Sequence, residues 1–261
     1  MSVFRLALAH WRVGALNELQ YRLNLVVQLF QSLISLATGL IGLALVFRQT
    51  DTLAGWTRPE LLAVMGVHLL MGGLIQALIQ PNMQRLMGDV QSGLFDYTLA
   101  KPVDAQALTS VREIRVWQLV DALVGAVVIG VAVVQLDARV GLGQAAAFVI
   151  ALVLGALSIY SFWLILTTGV FWIIRIENIV ELFQGVYQAG RWPVTVYPPW
   201  LRGGLTFLVP VAFAVTVPAE AVTGRLTAGT MALAFAICVG LMAAARGIWR
   251  FGVRRYGGAS A

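Results

Sequence analysis

Long apolar runs alternate with short polar stretches along this chain. A helix that crosses a bilayer needs ~20 mostly apolar residues. Runs of that kind occupy residues 25–47, 61–79, 116–136 and 145–174, and a last one occupies 230–249. The first carries no charge, and the third carries one, Asp121. A further segment, 176–194, is apolar apart from a polar set at its start and along its length: Glu177, Glu181, Gln184, Gln188 and Arg191. Those positions return to one side of an α-helix, because each residue turns the helix by ~100°. All five side chains fall within about 80° of arc, so the segment reads as a helix with one polar stripe. Its opposite face, with Ile179, Leu182, Val186 and Ala189, is expected to pack on neighbouring spans or lipid. The pattern predicts an all-α, polytopic membrane protein in which residues 1–261 form a single domain with six transmembrane helices, the striped one being the fifth.

Three stretches between these runs have their own patterns. In residues 1–23, Phe4, Leu8, Trp11, Ala15 and Leu19 recur at helical spacing, while Arg5, His10, Arg12 and Glu18 interrupt any continuous apolar run. This predicts an amphipathic interfacial helix and not a cleavable signal. In residues 81–103, Met83, Leu86, Met87, Val90 and Leu94 form an apolar face, with Gln84, Arg85, Asp89 and Gln91 around it. Pro81 suits a first helical turn, Gly93 a stop and Pro102 a break. That helix either lies on the membrane surface or docks a cytoplasmic partner. Residues 197–228 are apolar but broken by Pro198, Pro199, Pro210 and Pro218. Prolines that dense cannot sit in one straight helix, so two short helices in a partly re-entrant hairpin are expected. The hairpin is either an external cap over the bundle or a gate at its outer mouth.

Composition agrees with the pattern. The chain is 59% hydrophobic and 11% charged, with a mean hydropathy of +0.84. A soluble domain would carry about 25% charged residues. The net charge of +6 is scattered between apolar runs and builds no patch for nucleic acid. It sorts by side instead. With six spans, twelve basic residues share the side of both termini, including Arg85, Lys101, Arg112, Arg115, Arg175 and Arg254, against five on the other: Arg48, Arg58, Arg139, Arg202 and Arg225. Basic loops stay cytoplasmic, so both termini are expected there. Trp11, Trp56, Trp117, Trp172, Trp192, Trp200 and Trp249 fall near span ends, as interface anchors do. The one cysteine, Cys238, lies within an apolar run and is expected to be a small buried residue.

Several kinds of chemistry have no residues to carry them. Lys101 is the only lysine and is followed by Pro102, so no GxxxxGK[ST] phosphate loop exists. His10 and His68 are the only histidines and lie far apart, which excludes an HExxH metal site. No GxSxG nucleophile elbow is present. No metal site and no cofactor of this chain are expected, and nothing positive points to an enzyme. Intramembrane Glu177, Glu181 and Asp121 would suit a proton relay, which keeps an ion-coupled secondary transporter as the alternative reading.

The whole arrangement resembles the membrane subunits (permeases) of type-2 ABC exporters. "GDVQSGLFDYTLAKPV" looks like that family's G-x-[ILV]-[DE]-x-L-x-[KR]-P pattern, carried here by Gly93, Leu94, Phe95, Asp96, Leu99, Lys101 and Pro102. Phe95 stands where an aliphatic residue is expected. "VYPPWLRGGLTFLVPVAFAVTVPAEAVTG" looks like the family's external stretch, through Pro198, Pro199, Leu201, Arg202, Pro210, Pro218, Ala219 and Gly224. The resemblance implies a permease in a bacterial plasma (inner) membrane, paired with a second one, identical or related. Beneath the pair would sit two copies of a cytoplasmic ABC ATPase, which would hold the ATP and Mg. It also implies that the 81–103 loop is a coupling helix, with Gln84, Arg85, Asp89, Gly93, Asp96 and Lys101 meeting the ATPase. The stripe of Glu177, Glu181, Gln184, Gln188 and Arg191 would line the route between permeases, or else form a structural network. Pro198, Pro199, Pro210 and Pro218 would shape the external gate.

Overall fold

The computed structural model describes residues 11–12, 16, 22–136, 141–172 and 179–256. Most of the expected interfacial helix lies outside that set, as do Arg139, Arg175 and Glu177. Among the described residues, five helical runs are long and apolar enough to cross a bilayer. They are α1 (Arg22–Val46), α2 (Arg58–Leu74) continued by α3 (Gln80–Gln91), α6 (Leu119–Gln135), α7 (Leu142–Thr168) and α11 (Ala228–Arg255). Short helices α4 (Phe95–Leu99) and α5 (Ala105–Thr109) connect the second run to the third, and α8 (Ile179–Gln188), α9 (Pro199–Gly203) and α10 (Val217–Val222) precede the last.

The second run departs from expectation. Pro81 does not begin a separate helix; the helix passes through it by way of a π-helical turn at Ile75–Ile79. A proline lacks the N–H that would bond the carbonyl four residues back. That carbonyl, on Ala77, accepts instead from the Arg115 N–H at 3.0 Å. The repair comes from the far side of the loop, and it lets residues 58–91 form one helical run of 34 residues. At 1.5 Å per residue that is ~51 Å, well beyond the ~30 Å hydrocarbon layer, so its last turns project past the bilayer.

Glycines bring α2 and α6 into backbone contact. A Cβ on Gly66 would lie 3.0 Å from the Gly125 carbonyl, and one on Gly73 would lie 2.5 Å from the Ala122 nitrogen. Gly66 thus faces Gly125 while Gly73, further along α2, faces an earlier part of α6. The two helices run antiparallel, as consecutive spans must. Small residues at such contacts are how membrane helices gain packing without a hydrophobic driving force.

Helices α7 and α11 run parallel. A Cβ on Gly252, near the end of α11, would meet Phe171 and Thr168 at the end of α7. Earlier in both helices, Ala234 and Cys238 cluster with Ala151 and Leu154. The chain between them must therefore return across the layer once. Helix α8 makes much of that return. Phe183 packs on Trp163 of α7 with ring centroids 4.9 Å apart, Tyr187 packs on His68 of α2, and Thr195 accepts a 3.0 Å hydrogen bond from the Trp56 indole just ahead of α2. From Ile179 onward the return is made by the ten described residues of α8 and by tight turns at Ala189–Arg191 and Val194–Val196. The striped segment is thus a broken crossing, not the uninterrupted helix its period predicts. Pro193 interrupts the backbone ladder there.

The proline-rich stretch folds as a sharp hairpin. Its limbs, Pro199–Leu208 and Ala212–Val222, meet at 82°. Both ends return to Trp56: Thr195 bonds its indole, and Arg225, just past the second limb, stacks over its ring at 4.5 Å and pairs with Glu60 at 3.0 Å. A segment that enters and leaves at one end of the bundle is re-entrant. Gly155 makes room for it, since a Cβ there would lie 2.5 Å from the Phe213 carbonyl.

Two tryptophans are not interface anchors. Trp56 and Trp249 are buried within the protein, whereas Trp172 and Trp200 are exposed. Cys238 is buried, as expected.

Candidate functional site

The stripe on α8 begins with period and ends with packing. Glu181, Gln184 and Gln188 are exposed on the isolated chain. The buried face is centred on Phe183 and Tyr187, which lie beside the stripe and not opposite it. Leu182, expected on the packing side, is 68% exposed. Aromatic contacts decide this rotation: Tyr187 stacks on His68 and donates its hydroxyl to the His68 carbonyl at 2.9 Å. Arg191 turns inward, donating to Gln188 Oε1 at 3.1 Å and to Ser35 Oγ of α1 at 3.4 Å.

Gln188 also borders a polar cavity of about 170 Å³ that a charge-based reading of the sequence passes over. Helix α1 contributes Gln28, Gln31, Ser32 and Ser35, helix α2 His68, and helix α6 Asp121. Asp121 sits in the first turn of α6, where the helix dipole favours a carboxylate. It accepts from Gln28 Nε2 at 2.9 Å and from the Ser32 hydroxyl. The signal for the α1 residues lay in their spacing of three, four and seven along one helix face, within a span noted only for lacking charge.

At the opposite end of the bundle from Trp56, the expected coupling loop is braced from within. Asn82, 1% exposed, donates to the Leu78 and Glu113 carbonyls and accepts from the Arg112 and Glu113 N–H groups. Arg85 pairs with Glu113 at 2.6 Å, Asp89 with Arg112 at 2.8 Å, and Gln84 accepts from Arg115 at 3.0 Å. The polar side of α3 is therefore occupied by the 112–115 segment of the same chain. Gly93 closes the helix with φ +74°, a left-handed turn that favours glycine. Phe95 then plugs into an aromatic cluster with Phe171, Trp249 and Tyr256, which accounts for an aromatic where an aliphatic residue is expected. Burial raises the Tyr256 phenol pKa, and the Asp96 carboxylate, hydrogen-bonded to it, raises it further. Leu94, Tyr97 and Lys101 are left exposed at the tip, Tyr97 by 72%.

The same end carries a second brace. Asp104 caps α5 by accepting from the Ala107 N–H at 3.0 Å and pairs with Arg246 of α11 at 2.6 Å. Its hydrogen bond with Arg246 holds the carboxyl below its ordinary value of 3.8, against a smaller opposing effect of burial.

The four hairpin prolines each mark a break. Pro198 caps α9 and Pro199 begins it, Pro210 sits in the bend between limbs, and Pro218 lies in the first turn of α10. Among the described residues, no group of three or more His, Cys, Asp or Glu side chains is placed to hold a metal ion.

A helical body with five apolar runs long enough to span a bilayer, among the described residues, is that of a multi-pass membrane protein. Residues 33–260 match the family model for the ABC-2 family transporter protein. The chain belongs to that family: it is a membrane permease subunit of an ABC transporter, and such a permease works with an ABC ATPase. No curated relative and no solved structure matches it.

Proposed function

We propose that this chain is half of the translocation unit of an ATP-driven exporter in a bacterial plasma membrane, with both termini cytoplasmic. A second permease, identical or related, faces it, and two copies of a separate ATPase bind and hydrolyse MgATP beneath the pair. The observation that carries the reading is the bare stripe on α8. Glu181, Gln184 and Gln188 lie on a segment packed at the level of His68, well inside α2, yet all three are exposed among the described residues, Gln188 accepting from Arg191. A carboxylate facing lipid at that depth costs about 2.5–3.5 kcal/mol or more, and a facing permease or a water-filled route removes most of that. Glu177 would extend the stripe towards the cytoplasm and Arg191 closes it near α1. The hairpin at the Trp56 end stands over the outer mouth as its gate.

The lack of a phosphate loop fits a permease driven by another subunit. The contact for that subunit is the loop tip, through Leu94, Tyr97 and Lys101, since Gln84, Arg85 and Asp89 are engaged within the chain. Gly93 and Asp96 shape the tip rather than touch the ATPase.

The test uses tagged chain co-expressed with its ATPase. The unaltered chain should retain the ATPase through purification; Leu94→Asp with Tyr97→Asp should lose it, and Arg85→Glu should keep it. Gln184→Cys in a Cys238→Ala background should crosslink between permeases, and Leu43→Cys, facing the chain's own core, should not. Transport that persists without ATP and collapses with an uncoupler would replace this reading with the ion-coupled one.

A further inference from the structure

Two cavities lie end to end beneath α1. The polar one ends at Ser35, and an apolar one of about 580 Å³ begins at Leu36 and is lined by Leu40, Leu62 and Val128. Asp121 and Val128 are seven positions apart on α6, a separation of about 10 Å along the helix. A ligand with a small polar head and an apolar tail would span both.

The head's charge follows from what the polar cavity lacks. The ion pairs among the described residues join Arg85, Arg112, Arg225 and Arg246 to other carboxylates, and none involves Asp121. Its hydrogen bonds come from an amide and a hydroxyl, both neutral. Gln118 Oε1 and His68 Nδ1 have no hydrogen-bond partner among the described residues, but both atoms are buried, and the His68 nitrogen lies beside Gly190 rather than in the cavity. Among the described residues Asp121 has no ion pair, and the cavity around it is lined by amides and hydroxyls, with the Arg191 guanidinium held at the rim by Ser35 and Gln188; such a carboxylate suits a cation carrying several N–H donors. A carboxylate that only tied α6 to α1 would not need the cavity. An anionic or phosphate-bearing head would meet Asp121 with like charge.

We propose that the cleft between α1, α2 and α6 binds a single-tailed amphipathic amine, its ammonium group at Asp121 and its tail along Leu36, Leu40, Leu62 and Val128. The ligand's role as cargo rests on the exporter reading; the binding itself does not. The niche lies within one permease and beside the stripe, with Gln188 bordering both, so the amine would wait at the edge of the route before it is moved.

The reporter is Ser35→Cys in a Cys238→Ala chain, purified without ATPase into nanodiscs of phosphatidylcholine and phosphatidylglycerol. Its reaction with a small methanethiosulfonate is timed with decylammonium, 1-decanol or decanoate present. Decylammonium should slow the reaction, and the alcohol and the acid should not. Asp121→Asn keeps a carbonyl to accept from Gln28 and an amide N–H that the Ser32 hydroxyl can accept, and should raise the half-protecting concentration at least about tenfold. Equal protection by decanol, or protection unchanged by Asp121→Asn, overturns the proposal. The comparison of amine with alcohol is made on the chain with Asp121 intact, so it decides even if the Asn variant misfolds. The same protection in phosphatidylethanolamine nanodiscs without added amine would make the occupant a resident lipid and overturn it too. A chain that shows amine protection but never holds an ATPase would sink the exporter reading alone.

Discussion

Tyr187 of α8 stacks on His68 of α2, with ring centroids 4.6 Å apart, and donates its hydroxyl to the His68 carbonyl at 2.9 Å. This contact joins the striped segment to the core and sets which residues of the stripe face outward. Tyr187→Phe keeps the ring and loses the hydrogen bond, so it should destabilise by about 0.5–1.5 kcal/mol. Tyr187→Ala should cost about 3 kcal/mol or more by opening a cavity. Melting followed by fluorescence in detergent ranks the two. Equal melting of Tyr187→Ala and the unaltered chain would show that the contact does not hold α8.

The glycine contacts between α2 and α6 make a second prediction. A Cβ on Gly125 would lie 2.3 Å from the Leu70 nitrogen, backbone that cannot move aside. Gly125→Val or Gly73→Val should destabilise by at least about 1–3 kcal/mol, through helix separation. Gly130→Ala, on α6 with nothing within 4 Å of its new Cβ, should be neutral or slightly stabilising. Expression and melting temperature of the three variants check the contrast.

The two ion pairs beneath the loop should differ sharply. Asp89 and Arg112 are 14% and 11% exposed, whereas Arg85 and Glu113 are 47% and 38% exposed. Removing one partner of the buried pair leaves an uncompensated charge, so Asp89→Leu should cost about 3–5 kcal/mol. Adding Arg112→Met to it should recover part of the loss. Arg85→Ala should cost at most about 1 kcal/mol. Denaturation of the four chains in mild detergent decides, and equal effects would refute the buried brace.

The Asp104–Arg246 contact should respond to acid. A carboxyl whose pKa is lower when folded stabilises above its unfolded value, ordinarily 3.8, and loses that as pH falls through the folded value. The hold of α5 on α11 should therefore be steady near neutrality and weaken only as the pH drops below 3.8. A Gln106→Cys label should gain mobility in that range, and Asp104→Asn should show the loosened state at every pH.

The sequence alone determines the solvent of this protein and the places of five long apolar helices. Twenty apolar residues in a row have no other stable place than a bilayer or a deep core, and five such runs leave too little polar surface for water. It also determines that residues 197–228 bend, because Pro210 cannot continue a helix, and that α8 has a polar side, because helical period is local. A polar face on α1 was equally legible in Gln28, Gln31, Ser32 and Ser35, for anyone who counts amides as well as charges.

Tertiary structure decided what these pieces face. Pro81 reads as a helix start until the Arg115 N–H, 34 residues away, takes the Ala77 carbonyl it leaves free. Arg85 and Asp89 read as open charges until Glu113 and Arg112 arrive to pair with them. Helical period gives the stripe its width but not its bearing; that came from Trp163 and His68, each on a different helix. In every case the deciding group is distant in sequence and near in space. Local pattern fixes which surfaces a segment owns, and only packing between segments fixes which of them is left open.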